Sequence, residues 1–518
     1  MKYKIIVFLW CLVVSGGCKD ALDIKPENNT TFANIDSEKD IESLLGGTGQ
    51  LVRTMAYWNM TSAVVRGAYA DEVNFSYKNV RQLDPSEVVV GQWIPFYNVI
   101  ASANVALSFI DQVPMTQERK DFYTGTACFY KALAYLELLR RWGDCVLMTG
   151  EKTIEWKPIA KSTWPKVADY AIRMAQDAVD KLPEWSEAVS SVGQAPRYRS
   201  TPCKGAANAL LAHLCAWKAG CKYMALPSDR DYDERELWER AERACSAVIG
   251  SPEYELAANP ELVCSQVLVG DSRESVYGTV FKDLIEELPD DQRGYPFTMG
   301  RLYTSWPVMP TETESNIQQV DLRIKAETAK KMFPPGDLRR DAYFYRLDDE
   351  IEGSGGFAYP YKERSVYHYT EGWFIGQFEN FNANRVWWRL SDIYLLRAES
   401  RARLGGDKVA GAIEDIDFVR DRANATRYSA SEYNGDVQYA VFKERERELL
   451  MEGHRFYDIM RNGPEYVREF LEGGFKELTE QDYIEGAMFH AIWKDPIAQN
   501  AFTDNPLMRQ NTWWAKRM

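Results

Sequence analysis

Histidine is scarce in this chain, with four among 518 residues. Basic charge is in deficit too: 62 Lys and Arg face 76 Asp and Glu, a formal net charge of −14. An acidic chain of this kind is a poor nucleic-acid binder, because neutralising phosphates needs clustered Lys and Arg. The apolar run at the start, Ile5 to Val14, is ten residues long, too short to span a bilayer as a stable helix. The nine cysteines follow no zinc spacing. Setting aside Cys11 and Cys18, seven remain, at 128, 145, 203, 215, 221, 245 and 264. An odd number at irregular intervals argues against a disulfide scaffold. Several sit in apolar helical stretches such as "TACFYKALAYL" and "LLAHLCAWKAG", where cysteine serves as a small buried hydrophobe.

What is present begins with an address. Lys2 and Lys4 precede the apolar run, and Ser15, Gly16 and Gly17 lead into Cys18, the layout of a secretory signal over residues 1–17. A cysteine directly after small residues resembles the lipobox of a bacterial lipoprotein, whose cysteine is diacylated and becomes the new N terminus. Ser15 stands where that motif usually has Leu. Cys18 is therefore the expected lipidation site; the alternative is an ordinary secreted protein with an incidental Cys18. Loss of Lys2 and Lys4 with the leader would deepen the charge by two, to −16.

With 45% hydrophobic residues, the chain can fill large cores, and its length allows two to four domains or one large solenoid. Helical periodicity favours the solenoid. "WIPFYNVIASANVALSFIDQV" (93 to 113) and "FYTGTACFYKALAYLELLRRWGD" (122 to 144) read as an antiparallel helix pair. Comparable units recur at "VADYAIRMAQDAVDKL" with "PCKGAANALLAHLCAWKAG", and at "LSDIYLLRAESRARLGG" with "KVAGAIEDIDFVRDRANA"; "ELWERAERACSAVIG" adds another helix. Alanines at 206, 207, 212, 398, 402, 410 and 412 suit tight helix contacts, a pattern that resembles degenerate tetratricopeptide repeats. Between about 265 and 385 the period is lost. Gly, Pro and aromatics mix there, which predicts long loops with a few short strands, and such loops on a rigid scaffold are where binding sites tend to sit.

One stretch poses a sharper question. "ERERELLMEGHRFYD" (444 to 458) packs five carboxylates, three arginines and one histidine into fifteen positions. On a continuous helix Glu444, Glu448 and Glu452 would share a face, as candidate acids and bases or as members of ion pairs. Arg445 with Glu448, Glu452 with Arg455, Arg455 with Asp458 and Asp458 with Arg461 all have i, i+3 spacing. His454 and Asp458 stand at i, i+4, but two ligands without a third make a poor metal site. No metal and no cofactor is assigned.

Several segments, in order, resemble one family, the SusD/RagB nutrient-binding lipoproteins of the Bacteroidetes outer membrane. They are "CKDALDIKP", "WIPFYNVIASAN", "RRWGD", "RLSDIYLLRAESRARLGG" with "VRDRA", "ERERELLMEGHRFYDIMR", and "DPIAQNAFTDNPLMRQNTWW" at the end. Ala498 and Thr512 stand where that ending usually has proline. The resemblance implies a mostly α fold: a SusD-like α-solenoid of tetratricopeptide-like helix pairs with a long loop-rich region and a few short strands. It implies one domain over 18–518, with the helical scaffold at about 90–265 and 386–462 and ligand-facing loops at about 55–90 and 270–385. It further implies a lipid-anchored, surface-exposed protein of the outer membrane, not an enzyme, that hands an oligosaccharide, or in some members a peptide, to a SusC-like TonB-dependent transporter. On this view Glu444, Glu448, Glu452, Arg455, Asp458 and Arg461 form a structural ion-pair network.

The ligand face follows from chemistry. Sugar rings stack on Trp and Tyr, and their hydroxyls need donors and acceptors. Two stretches expected to be non-helical are rich in such residues: 55–81, with Tyr57, Trp58, Phe75, Tyr77 and Arg81, and a second with Tyr295, Tyr303 and Trp306. Each has a plain alternative as a half-buried aromatic, and Trp93 is expected in the core. Asp71 and Glu72 are adjacent, so they point apart and do not suit cooperation on one bond. Two other classes stay open: a secreted glycoside hydrolase, which needs two carboxylates across one groove, and a tetratricopeptide-like protein-binding adaptor, which has less need of aromatic loops.

Overall fold

The computed structural model describes residues 35–67, 73–75, 93–150, 158–270, 272–281, 307–308, 322–349, 354–368, 372–376, 378–381, 383–471, 473–489 and 505–516. Its framework is a succession of helices, each packed on the next. These are α1 (Glu38–Gly67), α2 (Ile94–Ile110), α3 (Gln117–Trp142), α4 (Trp164–Lys181), α5 (Lys204–Gly220) and α6 (Glu234–Gly250). The succession resumes with α7 (Leu390–Leu404), which packs on α6 and on both α8 (Lys408–Arg422) and α9 (Val437–Glu448); α10 (Arg455–Asn462) follows. Each helix buries one stripe against its neighbours, as stacked hairpins must. Among the described residues no helix is long and apolar enough to cross a membrane.

The helix ends show why the chain breaks where it does. The Thr116 hydroxyl caps α3 by accepting from the Arg119 amide at 3.3 Å, a standard N-cap bond. At the other end Gly143 takes φ +68°, and a Cβ there would lie 2.6 Å from the Phe489 ring. Only glycine fits that turn. Asp144 then accepts from the Trp164 amide at 2.8 Å, starting α4, while Asn511 near the C terminus donates to the Trp142 carbonyl at 3.1 Å. The "RRWGD" and "RQNTWW" segments therefore meet.

The alanines divide. Ala206, Ala207, Ala212, Ala398 and Ala412 are fully buried and let helices approach, whereas Ala402 is half-buried and Ala410 is exposed. Position 410 lies on the outer side of α8, so its alanine makes no close contact. Trp93 is in the core, 5% exposed, with its ring edge-on to Trp142 at 6.0 Å. All seven described cysteines are free and buried; burial pushes the Cys264 thiol up to about 11.

Among the described residues, the region between α6 and α7 holds short elements only. Ser275–Thr279 pairs antiparallel with Arg385–Arg389, closing the base of the excursion between them. Smaller antiparallel pairs join Val73–Phe75 to Leu322–Ile324, Phe344–Tyr345 to Tyr359–Pro360, and Val366–His368 to Phe378–Phe381.

One expectation is overturned. The stretch from residue 55 reads as non-helical in sequence, yet α1 runs through Gly67. Ile41, Leu45, Thr48, Val52 and Met55 recur at alternating four- and three-residue steps and are all buried, a helical seam. Gly46, Gly47 and Gly49 hide it, because glycine is a poor helix former; tertiary packing overrides that weakness.

Candidate ligand cleft and the buried charge network

A cleft of about 350 Å³ lies between α1, α3, the turn at 200–202 and the Ser275–Thr279 strand. Glu42, Leu45, Gly46, Gly49, Gln50 and Arg53 come from α1, spaced to share one side of the helix. Opposite them, Phe122, Tyr123, Thr126 and Tyr130 come from α3 by the same rule. Tyr277 to Val280 form the floor. The walls are thus aromatic rings interspersed with hydroxyls, an amide and the oppositely charged Glu42 and Arg53, the make-up of a small-molecule site. Sequence reasoning passed over these residues. The available signal was the glycine-rich "GGTGQ" inside the seam of α1.

The expected ligand residues fall largely elsewhere. Tyr77, Arg81, Tyr295, Tyr303 and Trp306 lie outside the described residues, as does Cys18. Tyr57 and Trp58 are on α1, and Phe75 is in the short strand opposite Leu322; their side chains are outside the description. In sequence, the first aromatic-rich stretch begins within α1 and the second follows the floor strand.

The charged stretch has a different geometry from a single helix. α9 ends at Glu448 and α10 begins at Arg455, with Met451 at φ +65° and Gly453 at φ +83° between them. Glu452 therefore leaves the face that Glu444 and Glu448 share. The three carboxylates converge on long-range cations instead. Glu444 binds Arg339 at 2.6 Å and Arg420 at 2.8 Å. Glu448 binds Arg389 at 2.6 Å, Arg339 at 3.3 Å and also Arg422. Glu452 binds Arg389 at 2.7 Å and Lys362 at 2.5 Å. Glu274, from the strand region, joins Arg389 at 2.8 Å and Arg422 at 3.1 Å.

A second cluster adjoins it. Asp458 holds Arg445 at 2.9 Å and Arg461 at 2.8 Å, the latter a local pair at the expected i, i+3 spacing. Arg445 turns to Asp392 at 2.8 Å rather than to Glu448. Arg461 grips Glu399 at 2.6 Å, and Arg455 pairs with Glu446 at 2.8 Å while lying over the Phe442 ring. His213 bridges Asp392 at 2.8 Å and Arg140 at 3.2 Å. Burial lowers its pKa, so the neutral ring donates to Asp392 and accepts from Arg140.

Burial alone would raise Glu444 and Glu452; the adjacent guanidiniums of Arg339 and Arg389 overcome it and hold both carboxyls near the bottom of the carboxylate range, at about 2. None of these acids lines the cleft. Each is sealed and matched to a cation, which suits holding segments together and leaves no acid poised for proton transfer.

The fold and the cleft define a helical-repeat binding scaffold, and comparison with known proteins names its family. A SusD family model matches residues 328–514. A second, described as starch-binding associating with outer membrane, matches residues 20–215. SusD-like protein P38 of Formosa agariphila is 22% identical across 98% of this chain and 99% of its own length. The starch-binding protein SusD of Bacteroides thetaiotaomicron is 25% identical over 40% of this chain and 36% of its own. Among solved structures, a SusD homologue from Bacteroides thetaiotaomicron superposes with TM-score 0.72 at 20% identity, covering 93% of this chain and 99% of that one. B. fragilis NanU superposes with TM-score 0.67 at 17% identity, covering 94% and 99%. The chain belongs to the SusD/RagB family.

Proposed function

We propose that this protein is a surface-exposed lipoprotein of the outer membrane, anchored through Cys18, that captures an oligosaccharide and delivers it to a SusC-like TonB-dependent transporter. Peptide is the alternative ligand class. The supporting observation is the aromatic and hydroxyl-lined cleft, from whose walls the chain continues into both aromatic-rich stretches. Relatives named for starch binding support glycan over peptide. The protein acts by binding: the carboxylates of the charged stretch are consumed by cations and lie away from the cleft.

The test is incubation of the mature protein with a panel of oligosaccharides and peptides, following both affinity and product release. Binding of an oligosaccharide without turnover is the expected result. Released shorter sugars would establish a hydrolase, and binding confined to a protein partner would establish an adaptor.

A further inference from the structure

We propose that the cleft between α1 and α3 receives the uncharged terminal unit of a saccharide end-on, and that Gly46 and Gly49 are the residues that keep it open. This rests on the saccharide-binding reading above and assigns the site and ligand chemistry within it.

Glycine in a helix interior is selected against because it leaves the backbone loose, yet α1 places Gly46 and Gly49 three residues apart on the side facing the cleft. Neither adopts a positive φ, and a Cβ added at Gly46 would meet nothing within 4 Å. Fold and packing therefore do not demand glycine at 46. At Gly49 a Cβ would lie 3.3 Å from the Tyr130 hydroxyl, so that hydroxyl rests over bare helix.

A second observation is independent of the glycines. Tyr130 and Tyr277 are 7% and 1% exposed, both line the cleft, and among the described residues neither hydroxyl has a hydrogen-bond partner. A buried phenol normally finds one. A hydroxyl both donates and accepts, and so does each hydroxyl of a sugar. Of the charged lining residues, Glu42 is already bound by the Ser191 amide at 3.0 Å and its carboxylate is offset by Arg53, which is itself engaged, so the cleft carries no net charge and Tyr130, Tyr277 and the Gln50 amide are neutral groups that face a ligand. That selects an uncharged sugar over a uronic acid. About 350 Å³ is at the small end of the roughly 300 to 1,000 Å³ typical of ligand pockets, room for a chain end and not for a long segment.

The experiment screens the mature protein against neutral and uronic-acid oligosaccharides, then titrates the tightest neutral binder by calorimetry into the parent and into Gly46→Leu, Tyr130→Phe and Tyr277→Phe. Gly46→Leu should melt no lower than the parent, since leucine favours helix and meets open space, while affinity falls by about tenfold or more as the side chain fills the cleft. Each Phe variant should keep its melting temperature and lose about two- to tenfold in affinity. Blocking the chain end by O-methylation should also abolish binding. If the parent binds saccharides but Gly46→Leu binds them equally well, or if only uronic-acid chains bind, the cleft assignment fails while the saccharide reading stands. A parent that binds no saccharide overturns both.

Discussion

Arg389 and Glu448 meet at 2.6 Å with both side chains sealed from solvent. Arg389 ends the strand that closes the irregular region, and Glu448 ends α9, so one guanidinium ties the base of the loops to the helical scaffold. The same guanidinium reaches Glu274 and Glu452. Glu448→Ala should take one carboxylate from each of the buried guanidiniums Arg389, Arg339 and Arg422, leaving excess positive charge sealed in the network, and breaking a buried pair from one side costs about 3–5 kcal/mol. Chemical denaturation should show a loss of that size, with ligand affinity of the folded fraction unchanged. Normal stability together with abolished binding would turn the strut into a site.

Acid should weaken the fold in two stages. His454 is pulled down to about 4, by burial first and against the pull of Asp392; unfolded, it would titrate near 6.5. A base depressed in the folded state stabilises fully above its unfolded value, so this contribution fades as pH falls from about 6.5 to 4. Glu444, Glu452 and Asp458 sit at about 2 against about 4 when unfolded. Their contribution is complete above about 4.5 and fades towards 2. Melting temperature followed by circular dichroism should start to fall near pH 6.5 and steepen below about 4.5. His454→Gln should shrink the shallow limb, leaving the part that the buried, neutral His213 contributes, and keep the steep one. A melting temperature constant to pH 3 would contradict the scheme.

The helical framework was legible because stripes such as those of "FYTGTACFYKALAYL" repeat with one period and need no distant information. The beginning of the chain's scaffold was not, since Gly46, Gly47 and Gly49 mimic a loop while Leu45, Val52 and Met55 carry the seam. In the charged stretch the residues were legible and their partners were not. Glu448 has an arginine at the right spacing in Arg445, yet it binds Arg339, Arg389 and Arg422, which lie on other elements. Local spacing proposes ion pairs; tertiary packing chooses them. The cleft went unread for a related reason, because Gly46 and Tyr277 are far apart in sequence and each looks ordinary alone.

Anchoring has its own test. If Cys18 carries the lipid, Cys18→Ala should move the protein from the membrane to the soluble fraction without changing its melting temperature. Two acyl chains bind membranes far more firmly than one, so the change should be close to complete. Unchanged membrane association in that variant would refute the anchor.

Two tryptophans should behave in opposite ways. Trp93 packs against Trp142 in the core; Trp93→Ala should open a cavity and cost about 3–5 kcal/mol of stability, with little direct effect on ligand. Trp306 belongs to the sequence that follows the cleft's floor strand, in a stretch with Tyr295 and Tyr303. If its ring stacks on sugar, with Tyr77 or Arg81 on the far side, Trp306→Ala should leave stability nearly unchanged. Burial of a large side chain is worth roughly 1.5 to 3 kcal/mol, so affinity should drop about tenfold to a hundredfold. Calorimetric titration of both variants with every oligosaccharide that the parent binds compares them directly. Should Trp306→Ala bind all of them at parental strength, the aromatic face is misplaced, and Trp373, whose ring is 99% exposed, becomes the next residue to replace.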